Sequence, residues 1–169
     1  MARFLILLTF GVCGVSLLQA WHYLPQLPAQ MNFNIDLDQQ NTVFSLKKEH
    51  VVFGYCLLQF FACINGVISY FTSGKHAARI FHILNKTYWL EPEREKQTML
   101  FLKEYSIGCA AFSAIFITAL MEVIFQIYSG PNPVLPTGLL RVVFFMGVFI
   151  GLTGVAFLYL RFRKPDNAA

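Results

Sequence analysis

Charge is what this chain has least of. Only 13% of its 169 residues are Asp, Glu, Lys or Arg, against the ~25% usual in soluble domains. Hydrophobic residues make up 56% and the mean hydropathy is +0.55, a balance that points away from a water-soluble domain. Catalytic signatures are missing too: there is no phosphate-binding Gly-rich loop, dinucleotide fingerprint, nucleophile elbow or paired-carboxylate motif. The net charge of +4 is small, and the basic residues flank apolar runs. A nucleic-acid surface would need them gathered on an accessible polar face. Cys13, Cys56, Cys63 and Cys109 all fall inside apolar segments, so they are not a framework of loop disulfides and read as small, weakly polar helix residues. His22 and His50 bound one polar segment, and His76 and His82 stand six residues apart. Neither spacing matches a common zinc motif, and no metal or other cofactor is expected.

Long apolar runs are what the chain has instead, with eighteen Phe among them. About 20 apolar residues make a helix that crosses the ~30 Å hydrocarbon layer. The expected fold is an all-α membrane protein with a single four-helix domain over residues 1–169. Its spans lie at about 4–23, 51–72, 104–128 and 137–160, with an irregular outer loop at 24–50 and a charged inner loop at 73–103. The lipid bilayer is its first partner.

Along the chain, the first span follows Arg3 and closes on the interfacial aromatics Trp21 and Tyr23. A basic start, an apolar stretch and Ala20 also fit a cleavable signal peptide. Leu18 sits badly before such a cleavage point, and a retained helix is favoured. Pro25 and Pro28 then end the helix. In the outer loop Met31, Phe33, Ile35 and Leu37 alternate with polar residues, the period of a short strand or of a segment lying on the membrane. In the second span Cys56, Gln59 and Cys63 share one helical face, expected to meet other helices. Pro92 suits a first helical turn, and Glu91, Glu93 and Glu95 suit its positive end. One helix should therefore run from there into the third span near Tyr105 without a break. In the fourth span Gly147, Gly151 and Gly154 form a stripe where another helix can pack closely.

Four spans put both termini on one side. With the central loop on that side, it holds Arg3, Lys75, Arg79, Lys86, Arg94, Lys96, Lys103, Arg161, Arg163 and Lys164, against Lys47, Lys48 and Arg141 opposite. The positive-inside rule then makes both termini cytoplasmic. Glu122 is the only carboxylate inside a span. At 1.5 Å per residue it lies about 9 Å from Tyr128, and Arg141 lies about 6–8 Å from Pro136. Matched depths make Glu122 and Arg141 a candidate intramembrane ion pair. It would either fix the third helix against the fourth or serve a transport path, because ionisable groups in a membrane are costly.

The stretch Leu84-Asn85-Lys86-Thr87-Tyr88-Trp89-Leu90-Glu91-Pro92-Glu93-Arg94 resembles an inner-loop motif of a family of small multi-pass bacterial membrane proteins of unknown function. That motif reads approximately Pro-Asn-(basic)-x-Tyr-Trp-Leu-x-Pro-Glu-Arg. Asn85, Tyr88, Trp89, Leu90, Pro92, Glu93 and Arg94 carry the match, and Leu84 replaces the leading proline. A similar domain opens the immunity proteins of a bacterial sporulation-delay toxin system. The family's outer loop is matched more loosely, by Leu27-Pro28, by Asn34 and Asp36 where the family has His and Asn, and by Lys47. Its His and Gly are absent here. The resemblance implies a bacterial cytoplasmic (inner) membrane and a non-enzymatic protein acting by contact with an envelope ligand or a membrane-protein partner, in sensing, immunity-like protection or an accessory role. A small transporter or channel using Glu122 and Arg141 is the alternative.

Overall fold

The computed structural model describes residues 1–37, 40–72, 75–80, 85–131 and 137–163, and gives the backbone alone over 34–37 and 40–43 and at 76, 77, 80, 137, 139, 140 and 144. The elements follow in the order α1 (Ala2–Tyr23), β1 (Gln30–Leu37), β2 (Gln40–Lys47), α2 (Lys48–Phe71), α3 (Lys75–Ile80), α4 (Lys86–Trp89), α5 (Pro92–Ser129) and α6 (Thr137–Phe162). The four long helices, α1, α2, α5 and α6, are long and apolar enough to cross a membrane, with mean hydropathies of 2.0, 2.0, 2.1 and 2.3 in their most apolar windows. This is the architecture of a multi-pass membrane protein. Side chains such as Phe4, Leu7, Phe53, Phe60 and Phe149 point outward, as lipid-facing residues do where no water must be avoided.

α1, α2 and α5 pack together as a three-helix core. Small residues let the backbones approach. A Cβ built on Gly66 of α2 would lie 3.7 Å from the Cβ of Ala110 on α5 and 3.8 Å from Ile6 Cδ1 on α1. Ala110, Ala111 and Ala114 continue that smooth contact along α5. Helices in lipid gain little from hydrophobicity against one another, so such close van der Waals packing is a main source of their association. α5 runs 38 residues without interruption, about 57 Å at 1.5 Å per residue. It starts as the sequence led us to expect: extended Glu91 is the N-cap, Pro92 follows, and Glu93 and Glu95 occupy the first turn.

The outer segment differs from the irregular loop expected of residues 24–50. β1 and β2 pair as an antiparallel hairpin, with Gln30 opposite Lys47, Phe33 opposite Phe44 and Asn34 opposite Val43. Alternation in β1 marked one strand. Its partner in β2 is favoured by the Thr42, Val43 and Phe44 run, residue types that suit a pleated surface. A lone hairpin is marginal in water, and this one is seated on the end of the core where α1 and α5 finish and α2 begins. Met31 is fully buried there, in one cluster with Ala20, Leu27, Tyr55, Phe125 and Tyr128. The Phe33 and Tyr128 rings lie 5.5 Å apart, and the Tyr128 hydroxyl donates to the Asn32 carbonyl. Lys48 Nζ donates to the carbonyls of Leu24 at 3.1 Å and Leu27 at 3.2 Å, tying the turn after α1 to the start of α2.

α6 is attached differently. Its C-terminal end packs: Phe162 and Leu102 share a buried cluster, the Phe157 and Tyr105 rings stack at 6.0 Å, and Tyr105 Oη donates to the Gly154 carbonyl at 3.0 Å. Farther out it stands away from α5. A Cβ on Gly147 or Gly151 would meet nothing within 4 Å, so of the expected glycine stripe only Gly154 makes a close contact. Between α5 and α6 lies an apolar cleft of about 1040 Å³.

Candidate functional site

α1 presents Ser16, Gln19 and Tyr23 at helical spacings of three and four, and α5 presents Thr118, Glu122 and Gln126 at spacings of four. Each set therefore falls on one helical face, and the two faces meet. The Glu122 carboxylate accepts a hydrogen bond from Gln19 Nε2. It also accepts from Tyr23 Oη at 2.7 Å and from Gln126 Nε2 at 2.8 Å. Gln19 Nε2 lies 3.3 Å from the Thr118 carbonyl, and the Gln19 side-chain oxygen accepts from the hydroxyl of Tyr55 on α2. A charge that has left water is tolerable only when its lone pairs are met in this way.

The polar chain continues inward from there. Gln59 of α2 donates to Thr118 Oγ1 at 2.9 Å and to the Ala114 carbonyl at 3.1 Å. The hydroxyls of Ser16 and Thr118 lie 2.7 Å apart. Cys13 Sγ lies 3.6 Å from the Gln59 side-chain oxygen, and Cys63 Sγ lies next to Cys13 Sγ. One helical turn from Gly66 a separate pair, Ser69 and Ser106, joins α2 to α5 at 2.7 Å. Gln59 and Cys63 thus meet other helices, as their shared face suggested. Partly buried polar networks rigidify a bundle when every member is satisfied.

Arg141 does not belong to this network. The expected Glu122–Arg141 ion pair is not formed: Glu122 turns its carboxylate towards α1, while Arg141 is exposed on the part of α6 that stands off from α5. Among the described residues no salt bridge involves Arg141. The depths were compatible, but the helical face of Glu122 was set by Thr118 and Gln126, which share it.

The inner-loop motif forms a clasp around the end of α6. Asn85 takes the left-handed conformation at φ 53°, which Asn tolerates better than most residues, and turns the chain into α4. Its side-chain amide reaches the Phe162 carbonyl at 3.4 Å, and the Trp89 indole N–H donates to the same oxygen at 2.8 Å. That carbonyl belongs to the last turn of α6, where no intrahelical donor is left for it. The Trp89 and Phe162 rings meet edge to face at 5.6 Å. The Arg161 guanidinium lies 5.2 Å from the Trp89 ring centroid and 5.4 Å from that of Phe101. Arg94 stacks over Tyr88 at 4.0 Å and pairs with Glu91. Leu90 follows α4 half-buried, and Pro92 and Glu93 open α5.

The outer-loop candidates do not gather. Pro28 is half-buried in the turn before β1, next to the buried Leu27, and exposed Lys47 closes β2. Asn34 and Asp36 lie on β1 opposite Val43 and Asn41; their side chains are outside the described residues. Among the described residues no three His, Cys, Asp or Glu side chains cluster as metal ligands do. Ser16, Gln19, Tyr23, Tyr55, Thr118 and Gln126 are the site residues that sequence reasoning missed. The signal was the recurrence of polar residues every three or four positions inside otherwise apolar helices. Compared with protein-family profiles, with curated proteins and with solved structures, the chain matches none.

Proposed function

We propose that this chain is a multi-pass protein of a bacterial cytoplasmic membrane, with both termini cytoplasmic, that acts by contact with a ligand or protein partner and not by catalysis. The observation that carries this reading is the outer hairpin. It is seated on the helical core through Met31, Phe33 and the Tyr128–Asn32 hydrogen bond. Its sheet has two strands; α6 lies near β1, and β2 offers an outer edge of backbone donors and acceptors. A preorganised edge of this kind is suited to recognising an extended segment by strand addition. The motif resemblance to immunity-related membrane proteins tilts the reading towards sensing or toxin protection. Photo-crosslinking residues placed at the exposed Phe44 and Ser45 test it in native membranes. A discrete crosslinked product from both positions is expected, and its absence from both would overturn the reading.

A second reading, transport centred on Glu122, is supported by the polar chain that runs from Gln126 and Glu122 to Cys63 through the core. Glu122→Gln in reconstituted vesicles separates the two. A normal protein level with lost ion flux favours transport, whereas a lowered level without any wild-type flux favours a structural carboxylate.

A further inference from the structure

We propose that the cleft between α5 and α6 seats an anionic phospholipid, with its acyl chains in the cleft and its phosphate against Arg161. The proposal rests on the chain's residence in a bilayer and not on the hairpin contact reading.

The walls of the cleft are apolar: Phe101, Phe112 and Phe116 on α5 face Gly147, Gly151 and Phe157 on α6. From Phe101 to Ile117, α5 lines it for about 24 Å at 1.5 Å per residue. That is long enough for an acyl chain lying in one leaflet of a ~30 Å hydrocarbon layer. The bare surfaces of Gly147 and Gly151, with open space where a Cβ would stand, leave room for such chains against the α6 backbone.

Charge selects the headgroup. Phe101 lines the inner end of the cleft, and the Arg161 guanidinium lies over that ring and over Trp89. Arg161 is exposed and in no salt bridge among the described residues. The carboxylate at this end, Glu104, is paired with the amino terminus of Met1 at 3.8 Å. A phosphate beside Arg161 gains a charge-assisted, two-pronged hydrogen bond, the cation favours a headgroup of net negative charge over a zwitterionic one whose choline offsets its phosphate, and Trp89 lies at the depth where interfacial aromatics meet headgroups. Basic pockets between membrane helices recognise anionic lipids in this way.

The test uses the full chain, delipidated in mild detergent and offered phosphatidylglycerol and phosphatidylcholine in equal amounts, with bound lipid counted by native mass spectrometry. Phosphatidylglycerol should be retained about fivefold better, the gain that one basic residue at an anionic headgroup supplies. Arg161→Gln should bring that ratio near one while lipid still binds. Gly151→Leu, which extends into open space, should reduce retention of both lipids. Equal retention by the wild-type protein, unchanged retention by Gly151→Leu, or a mass showing a second protein chain in place of lipid would each overturn the proposal.

Discussion

The three-helix core and α6 are built from equally apolar sequence and held by different means. α1, α2 and α5 are joined along their length by small-residue contacts and by the chain of side-chain hydrogen bonds from Glu122 to Cys63. α6 contributes no side chain to that chain among the described residues. It is fastened at its C-terminal end by aromatic rings, the Tyr105–Gly154 hydrogen bond and the Trp89 clasp, and elsewhere it lies near β1. In lipid, apolarity alone gives two helices no reason to prefer each other over acyl chains. Polar side chains inside the span decide which helices form a fixed core, and a helix without them rests on whatever closes its ends.

The comparison breaks first if Gln19→Leu is harmless. That change removes three hydrogen bonds, to Glu122, Thr118 and Tyr55, and at ~0.6–1.7 kcal/mol per interhelical bond the core should lose about 2–5 kcal/mol in mixed-micelle unfolding. A loss below about 0.5 kcal/mol would mean that packing alone holds the three helices. Next comes Gly154→Leu. A Cβ there would stand 3.0 Å from Tyr105 Oη, so overpacking should cost about 1–3 kcal/mol and pry α6 away, read as lost crosslinking between cysteines placed on α5 and α6. Gly151→Leu, facing open space, should leave that crosslink intact. Trp89→Phe keeps the ring and deletes the indole donor to Phe162. It should cost about 1 kcal/mol and appear as faster hydrogen exchange near the end of α6, with exchange in α1, α2 and α5 unchanged. The smallest effect belongs to Arg141→Gln. An exposed residue away from structural features shifts stability by within about 0.5 kcal/mol, and a larger loss would mean that Arg141 itself helps to hold the start of α6 beside β1.

How much of this was legible in the sequence depends on the signal each feature leaves. The four helices were, because membrane thickness imposes a length of apolar run that composition shows directly. The unbroken entry of α5 was, because Pro92 and the acidic first turn mark a helix start. The hairpin was half legible: Met31 to Leu37 alternate, whereas β2 depends on a pairing partner that no local pattern names. The Glu122 site was misassigned because depth along a helix can be counted from sequence but azimuth relative to a neighbour cannot. Arg141 matched Glu122 in depth, and the Thr118 and Gln126 spacing showed only that the carboxylate shares a polar face, not that this face meets α1. Nothing in the glycine stripe distinguishes a packed position such as Gly154 from an open one such as Gly151.

The Trp89 clasp also sets an order of events during synthesis. A chain emerges from its N-terminus at ~5–20 residues per second, so Phe162 follows Ser129 by about 2–7 s. Every helix of the core, and the clasp itself, has been synthesised before the carbonyl that the clasp holds exists. α6 is therefore made after the three helices it joins, and the contact that fastens it waits for its own final turn.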